Sequence, residues 1–132
     1  KISMRLVPDQ DPERIAELFT DYVRQLAGNH VELEILNHNN GWWALADINS
    51  PEMAAASDAY EATWGVKPIF TREGGSIPIV ATFQRELGTP VVLMGFGLDD
   101  NIHAPNEHFR VEHFHRGVET VIHYLYNLAA RS

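Results

Sequence analysis

Residues 1–7 alternate strictly, with Ile2, Met4 and Leu6 on one face and Ser3, Arg5 and Val7 on the other, which is the period of a half-buried β-strand. Arg5 is therefore expected to point away from the apolar face. Asp11 followed by Pro12 has the order of an N-cap and a first helical residue. Ile15, Leu18, Phe19, Tyr22, Val23 and Leu26 then recur at helical spacing until Gly28 stops them. Val31, Leu33 and Ile35 alternate with Glu32 and Glu34 and predict a second strand, closed by the loop-forming run Asn37-His38-Asn39-Asn40-Gly41. The first part of the chain thus reads as a β-α-β unit.

The apolar run 42–48 predicts an extended connection, and Ser50-Pro51-Glu52 opens a second helix with cap, proline and acid in the preferred order. A boundary is expected there, dividing the chain into 1–46 and 47–132. Met53, Ala56, Tyr60, Thr63 and Trp64 share a face rich in small residues, and Gly65 ends the helix. A short strand at 66–71, a helix at 76–87 with Ile79, Val80, Phe83 and Leu87 inward, and an unbroken apolar strand at 90–96 follow. Helix, strand, helix, strand is the order of a doubly wound α/β sheet. A last helix is expected to bury Phe114, Val118, Val121, Ile122, Leu125 and Leu128.

The 132 residues are 45% hydrophobic, enough for a buried core. Against 18 acidic residues stand 10 basic ones, a formal charge of −8. That is the wrong sign for a phosphate backbone or an anionic membrane surface, so nucleic acid and membrane are not expected as partners. Without cysteine, disulfides, thiolate metal sites and a cysteine nucleophile are excluded. No apolar stretch reaches the roughly 20 residues of a membrane-spanning helix. Lys1 enters directly into a strand pattern without initiator methionine or leader, which suggests a processed or truncated parent; the lack of cysteine leaves the compartment open, and a cytoplasmic parent is the expectation.

Three groups fall where an open α/β sheet places ligands, beyond the carboxyl ends of its strands. In Arg72-Glu73-Gly74-Gly75-Ser76-Ile77-Pro78 two glycines let the backbone approach a ligand, and successive N–H groups open a helix whose positive end favours an anion. A tight turn with Ser76 as N-cap accounts for the same string. His103 lies in the polar loop 99–107 after the buried strand. A neutral imidazole there can bind zinc or manganese, or can simply be solvated. Arg5 is an always-charged fork suited to a carboxylate, or an exposed strand arginine. His108, His113 and His115 read as surface or capping groups, because positions two apart cannot share a helical face.

Taken together, Ser3-Met4-Arg5-Leu6-Val7-Pro8, the Gly-Gly-Ser-Ile-Pro string and His103-Ala104-Pro105-Asn106-Glu107 resemble the C-terminal third of the carnosine dipeptidase group. That group belongs to the metallopeptidase family that also holds aminoacylase, carboxypeptidase G and succinyl-diaminopimelate desuccinylase. The resemblance implies that His103 is a terminal ligand to one of two divalent ions, zinc or manganese. It also implies that Arg5, Gly74, Gly75 and Ser76 bind the substrate's carboxylate end. The substrate would be a small peptide or N-acyl amino acid, and the reaction hydrolysis of a peptide or amide bond. Residues 1–46 would form the second half of an inserted lid, half of an α+β ferredoxin-like sheet that mediates homodimerisation. Residues 47–132 would complete a doubly wound aminopeptidase-like catalytic domain.

The family's His-x-Asp motif, bridging aspartate, Glu-Glu pair and further acidic ligand have no counterpart in this chain, nor has its lid histidine. The chain alone is therefore expected to be inactive and to bind metal weakly at most. The open edges of its first two strands are expected to pair with another chain. A non-catalytic anion-binding or assembly module reusing the fold is the alternative.

Overall fold

Asp11 and Pro12 start a helix as their order predicts. In the computed structural model, which describes residues 1–72 and 77–131, α1 runs Pro12–Ala27. The Asp11 carboxylate accepts from the backbone N–H groups of Glu13 at 2.8 Å and Arg14 at 3.1 Å, which satisfies two of the four orphan donors at a helix start. Ser50 does the same for α2, Pro51–Trp64, by accepting from Met53 at 3.2 Å, and Gly65 closes α2 at φ 75°. The third helix, α3, spans Pro78–Leu87, with Ile77 rather than a hydroxyl residue at its cap position. The fourth, α4, spans Val111–Ala129.

The chain divides into two units, Lys1–Leu45 with Arg72–Thr89 and Ala46–Thr71 with Pro90–Ser132. In the first unit Val80 and Ala81 of α3 are buried. The Gln84 amide donates to the Leu45 carbonyl at 3.0 Å, and the Arg85 guanidinium lies 4.2 Å from the centre of the Trp42 ring, a cation–π contact.

In the second unit α2 packs on α4. The residues buried there are small: Ala55, Ala56 and Ala59 on α2 and Gly117 and Thr120 on α4, with Met53 beside them. Small side chains let two helix backbones approach closely, so that hydroxyl and amide groups can bond across the gap. The Thr63 and Thr120 hydroxyls are 2.8 Å apart, the Trp64 indole N–H donates to Thr120 Oγ1 at 3.0 Å, and the Asn127 amide donates to the Ala55 carbonyl at 3.1 Å. Phe96 stacks on Tyr60 and Trp64, with ring centres 5.5 and 6.4 Å away. Burial pushes the Tyr60 hydroxyl above the ordinary phenol value, and it donates to the Gly95 carbonyl at 2.9 Å.

Gly117 is where Phe96 meets α4. A Cβ at this position would stand 3.0 Å from Phe96 Cδ2 and Cγ. Alanine gains roughly 1 kcal/mol of helix propensity over glycine, but the Phe96 ring, stacked on Tyr60 and Trp64, would have to give by a few tenths of an ångström. The clash is expected to win, leaving Gly117→Ala about 1 kcal/mol less stable in urea unfolding. Adding Phe96→Leu should recover part of the loss, whereas a Gly117→Ala midpoint at or above the parent's would show that the ring gives way.

Two sequence expectations are corrected. Among the described residues no strand forms at 1–7, 31–36, 66–71 or 90–96. A strand exists through its ladder of hydrogen bonds to a neighbour, and these segments do not pair with one another. Their apolar positions stay open, as at Ile2, 70% exposed, Met4, Val31 and Leu33. The β-α-β unit and the strands of the doubly wound sheet are thus absent from the described residues.

The inward stripe expected on the last helix is likewise exposed, apart from the half-buried Leu128. Phe114, at 60%, and Val118, Val121, Ile122 and Leu125 face away from α2, because the α2 interface takes the Gly117–Thr120 side of α4. Ile79, Phe83 and Leu87 on α3 are also exposed.

Candidate functional site

The loop that carries His103 is built from two successive turns. The Ala104 N–H donates to the Asn101 carbonyl at 3.0 Å and the Glu107 N–H to the Ala104 carbonyl at 3.2 Å. Asn101, His103 and Asn106 adopt left-handed φ values of 49°, 58° and 65°, a conformation in which asparagine and histidine occur more often than most residues. The double turn folds Glu107 back toward His103, whose Nδ1 lies 4.0 Å from Glu107 Oε2. The imidazole is 92% exposed and the carboxylate about half exposed. His108 Nδ1 sits 3.3 Å from the Asn106 carbonyl.

Arg5 is exposed, and its Nη1 donates to Ser3 Oγ at 3.3 Å. It belongs to the first unit and His103 to the second. Gly74, Gly75 and Ser76 lie outside the described residues. His113, read from sequence as a surface or capping group, is half-buried. Its Nδ1 stands 3.1 Å from the Phe96 carbonyl and its ring meets Trp64 edge-on at 5.1 Å. It is a packing residue of the second unit, and the aromatic residues at 96 and 109 were its only sequence signal.

Among the described residues no group of three or more histidines and carboxylates is placed to hold a metal ion. His103 offers one nitrogen donor of the type zinc and manganese accept, with a carboxylate near its other nitrogen. The chemistry of that donor fits a divalent ion as one ligand of several, and the described residues do not build a complete site around it.

Residues 2–127 match the family described as peptidase family M20/M25/M40. The chain belongs to that family. This M20 chain is 37% identical over 131 residues to the Cys-Gly metallodipeptidase DUG1 of Saccharomyces cerevisiae, covering 95% of the chain and 27% of that protein. It is 28% identical to the Beta-Ala-His dipeptidase of Homo sapiens over 81% of the chain and 22% of that protein. The solved structure of the yeast di-peptidase Dug1p superposes with a TM-score of 0.77 at 32% identity, over 94% of the chain and 27% of that structure. The M20 chain therefore spans about a quarter of the length of the relatives it matches. The dipeptidase likeness read from the Gly-Gly-Ser-Ile-Pro and His-Ala-Pro-Asn-Glu strings agrees with these relatives.

Proposed function

We propose that the chain is the C-terminal portion of a dinuclear-metal-dependent peptidase that hydrolyses a peptide or amide bond next to a free carboxylate. The observation that carries this reading is the family match over 2–127, joined to 37% identity with a protein named a metallodipeptidase of which the chain spans 27%. His103 serves as a terminal ligand to one of two zinc or manganese ions. Those ions, when bound, supply Lewis-acid polarisation of the scissile carbonyl. Arg5, Gly74, Gly75 and Ser76 hold the substrate's carboxylate end, and a small peptide or N-acyl amino acid is the substrate.

Residues 1–46 supply half of a lid through which the cytoplasmic parent forms a homodimer, and 47–132 complete its catalytic α/β domain. The alternating and apolar segments that find no ladder among the described residues would find partner strands in the parent. The exposed stripe on α4 would likewise find cover there.

The purified 132-residue chain should not hydrolyse Cys-Gly with zinc or manganese supplied, while the full-length parent should, and should stop on chelation. Turnover by the chain itself that vanishes on His103→Ala would overturn the division of labour. A parent that binds small carboxylates and is indifferent to chelator would instead favour the non-catalytic anion-binding module. In the parent, Arg5→Lys should lower kcat/KM on the order of tenfold or more for substrates with a free carboxylate, because an ammonium cannot replace two parallel charged hydrogen bonds. An unchanged kcat/KM for those substrates would refute the role.

A further inference from the structure

A histidine that binds metal through one ring nitrogen needs the proton held on the other, and a carboxylate commonly holds it. In the loop of the second unit the two turns fix the backbone around His103: the Asn101 and Ala104 carbonyls accept the turn N–H groups of Ala104 and Glu107, and the Asn106 carbonyl faces His108. Among the described residues, the carboxylate paired with His103 is that of Glu107, at 4.0 Å from Nδ1. We infer that Glu107 is a positioning residue for His103: its carboxylate takes the Nδ1–H of the neutral imidazole and leaves Nε2 as the lone-pair donor.

The inference rests on the reading of His103 as a ligand. It goes beyond that reading by naming the group that selects the tautomer. A separation of 4.0 Å is longer than a hydrogen bond, which needs about 2.8 Å. Closing the gap calls for side-chain rotation, which the solvent exposure of both groups leaves free. The left-handed backbone at 103 and 106 creates that approach, since the chain reverses at each of them.

Nitrogen NMR of the imidazole rings in the 132-residue chain, at a pH well above the histidine range, reads the tautomer directly and needs no metal. His103→Gln identifies the signal, and the urea-unfolded chain gives the ratio of an unconstrained ring. The native His103 should be shifted toward the Nδ1–H form relative to the unfolded chain. Glu107→Ala should return it to the unfolded ratio, and Glu107→Gln, whose amide oxygen still accepts, should keep most of the shift. Amide spectra of α4 verify that the variants keep their fold.

A native ratio equal to the unfolded one, or a ratio that Glu107→Ala leaves unchanged, overturns the inference. In the full-length parent, Glu107→Ala should weaken zinc binding roughly 10- to 100-fold, and His103→Ala tests ligation itself. If His103→Ala leaves metal content intact, the ligand reading fails while the tautomer result stands. If His103→Ala strips the metal but the tautomer never depended on Glu107, only the positioning role fails.

Discussion

Phe96→Ala is expected to lower the stability of the second unit by about 3 kcal/mol, near the low end for deleting a core phenylalanine because this ring is half-buried. The ring stacks on Tyr60 and Trp64 and covers the backbone of Gly117. Its removal leaves a hole beside a glycine, which has no side chain to lean into the space. The Phe96 carbonyl that faces His113 belongs to the backbone and survives the substitution, so the loss reports the ring. Urea unfolding followed by the helical signal, with hydrogen exchange of α2 and α4 amides, measures it. A loss below about 1 kcal/mol, within the usual range of a surface substitution, would show that Phe96 decorates the helix pair rather than binding it.

Thr120→Val should cost about 1–2 kcal/mol although valine has nearly the same shape, because the half-buried Trp64 indole N–H loses its acceptor. Thr120 is the largest side chain that is fully buried among the described residues. Its hydroxyl donates to the Arg116 carbonyl at 2.7 Å and accepts from the Trp64 indole at 3.0 Å. Thr63 is also within bonding distance of the Ala59 carbonyl, at 2.9 Å. Two hydroxyl hydrogens therefore serve three links, and when Thr120 loses its oxygen the Thr63 hydrogen simply turns to Ala59. Among the described residues the indole N–H has no second acceptor. Thr120→Ser should stay within about 1 kcal/mol of the parent, and Trp64→Phe should make a following Thr120→Val nearly neutral. Equal losses for Thr120→Val with and without Trp64→Phe would place the cost elsewhere.

The starts of α1 and α2 were legible because each is set by chemistry local to a few residues, whereas α3 begins at Pro78 without a side-chain cap. Asp11-Pro12 and Ser50-Pro51 name the caps of α1 and α2, and Gly65 names an end. The buried face of α4 was not legible, because apolar periodicity selects the Phe114–Leu125 stripe whereas α2 packs on the side where Gly117 and Thr120 permit close approach. Periodicity reports that a face wants cover and not which neighbour supplies it. The strands failed for the related reason that alternation marks a segment fit for a ladder while the ladder depends on a partner. In the loop after the last apolar segment, the motif singled out His103 as a candidate ligand. The proximity of Glu107 was not, because it depends on the left-handed residues within the loop.

Those left-handed residues also bear on how this stretch can drift in evolution. A residue other than glycine in that region costs about 1–2 kcal/mol, with asparagine and aspartate penalised least. Positions 101 and 106 are held by asparagine, so neutral exchange there is confined to a very short alphabet of asparagine, aspartate and glycine. Position 103 has no such latitude if the imidazole is needed, since the residues that relax the backbone are the ones that lack the ring. A β-branched residue at 101 or 106 would have to reshape both turns at once. The loop can therefore change length or composition around these three positions more readily than at them, and lineages that abandon the histidine should quickly show glycine or asparagine in its place.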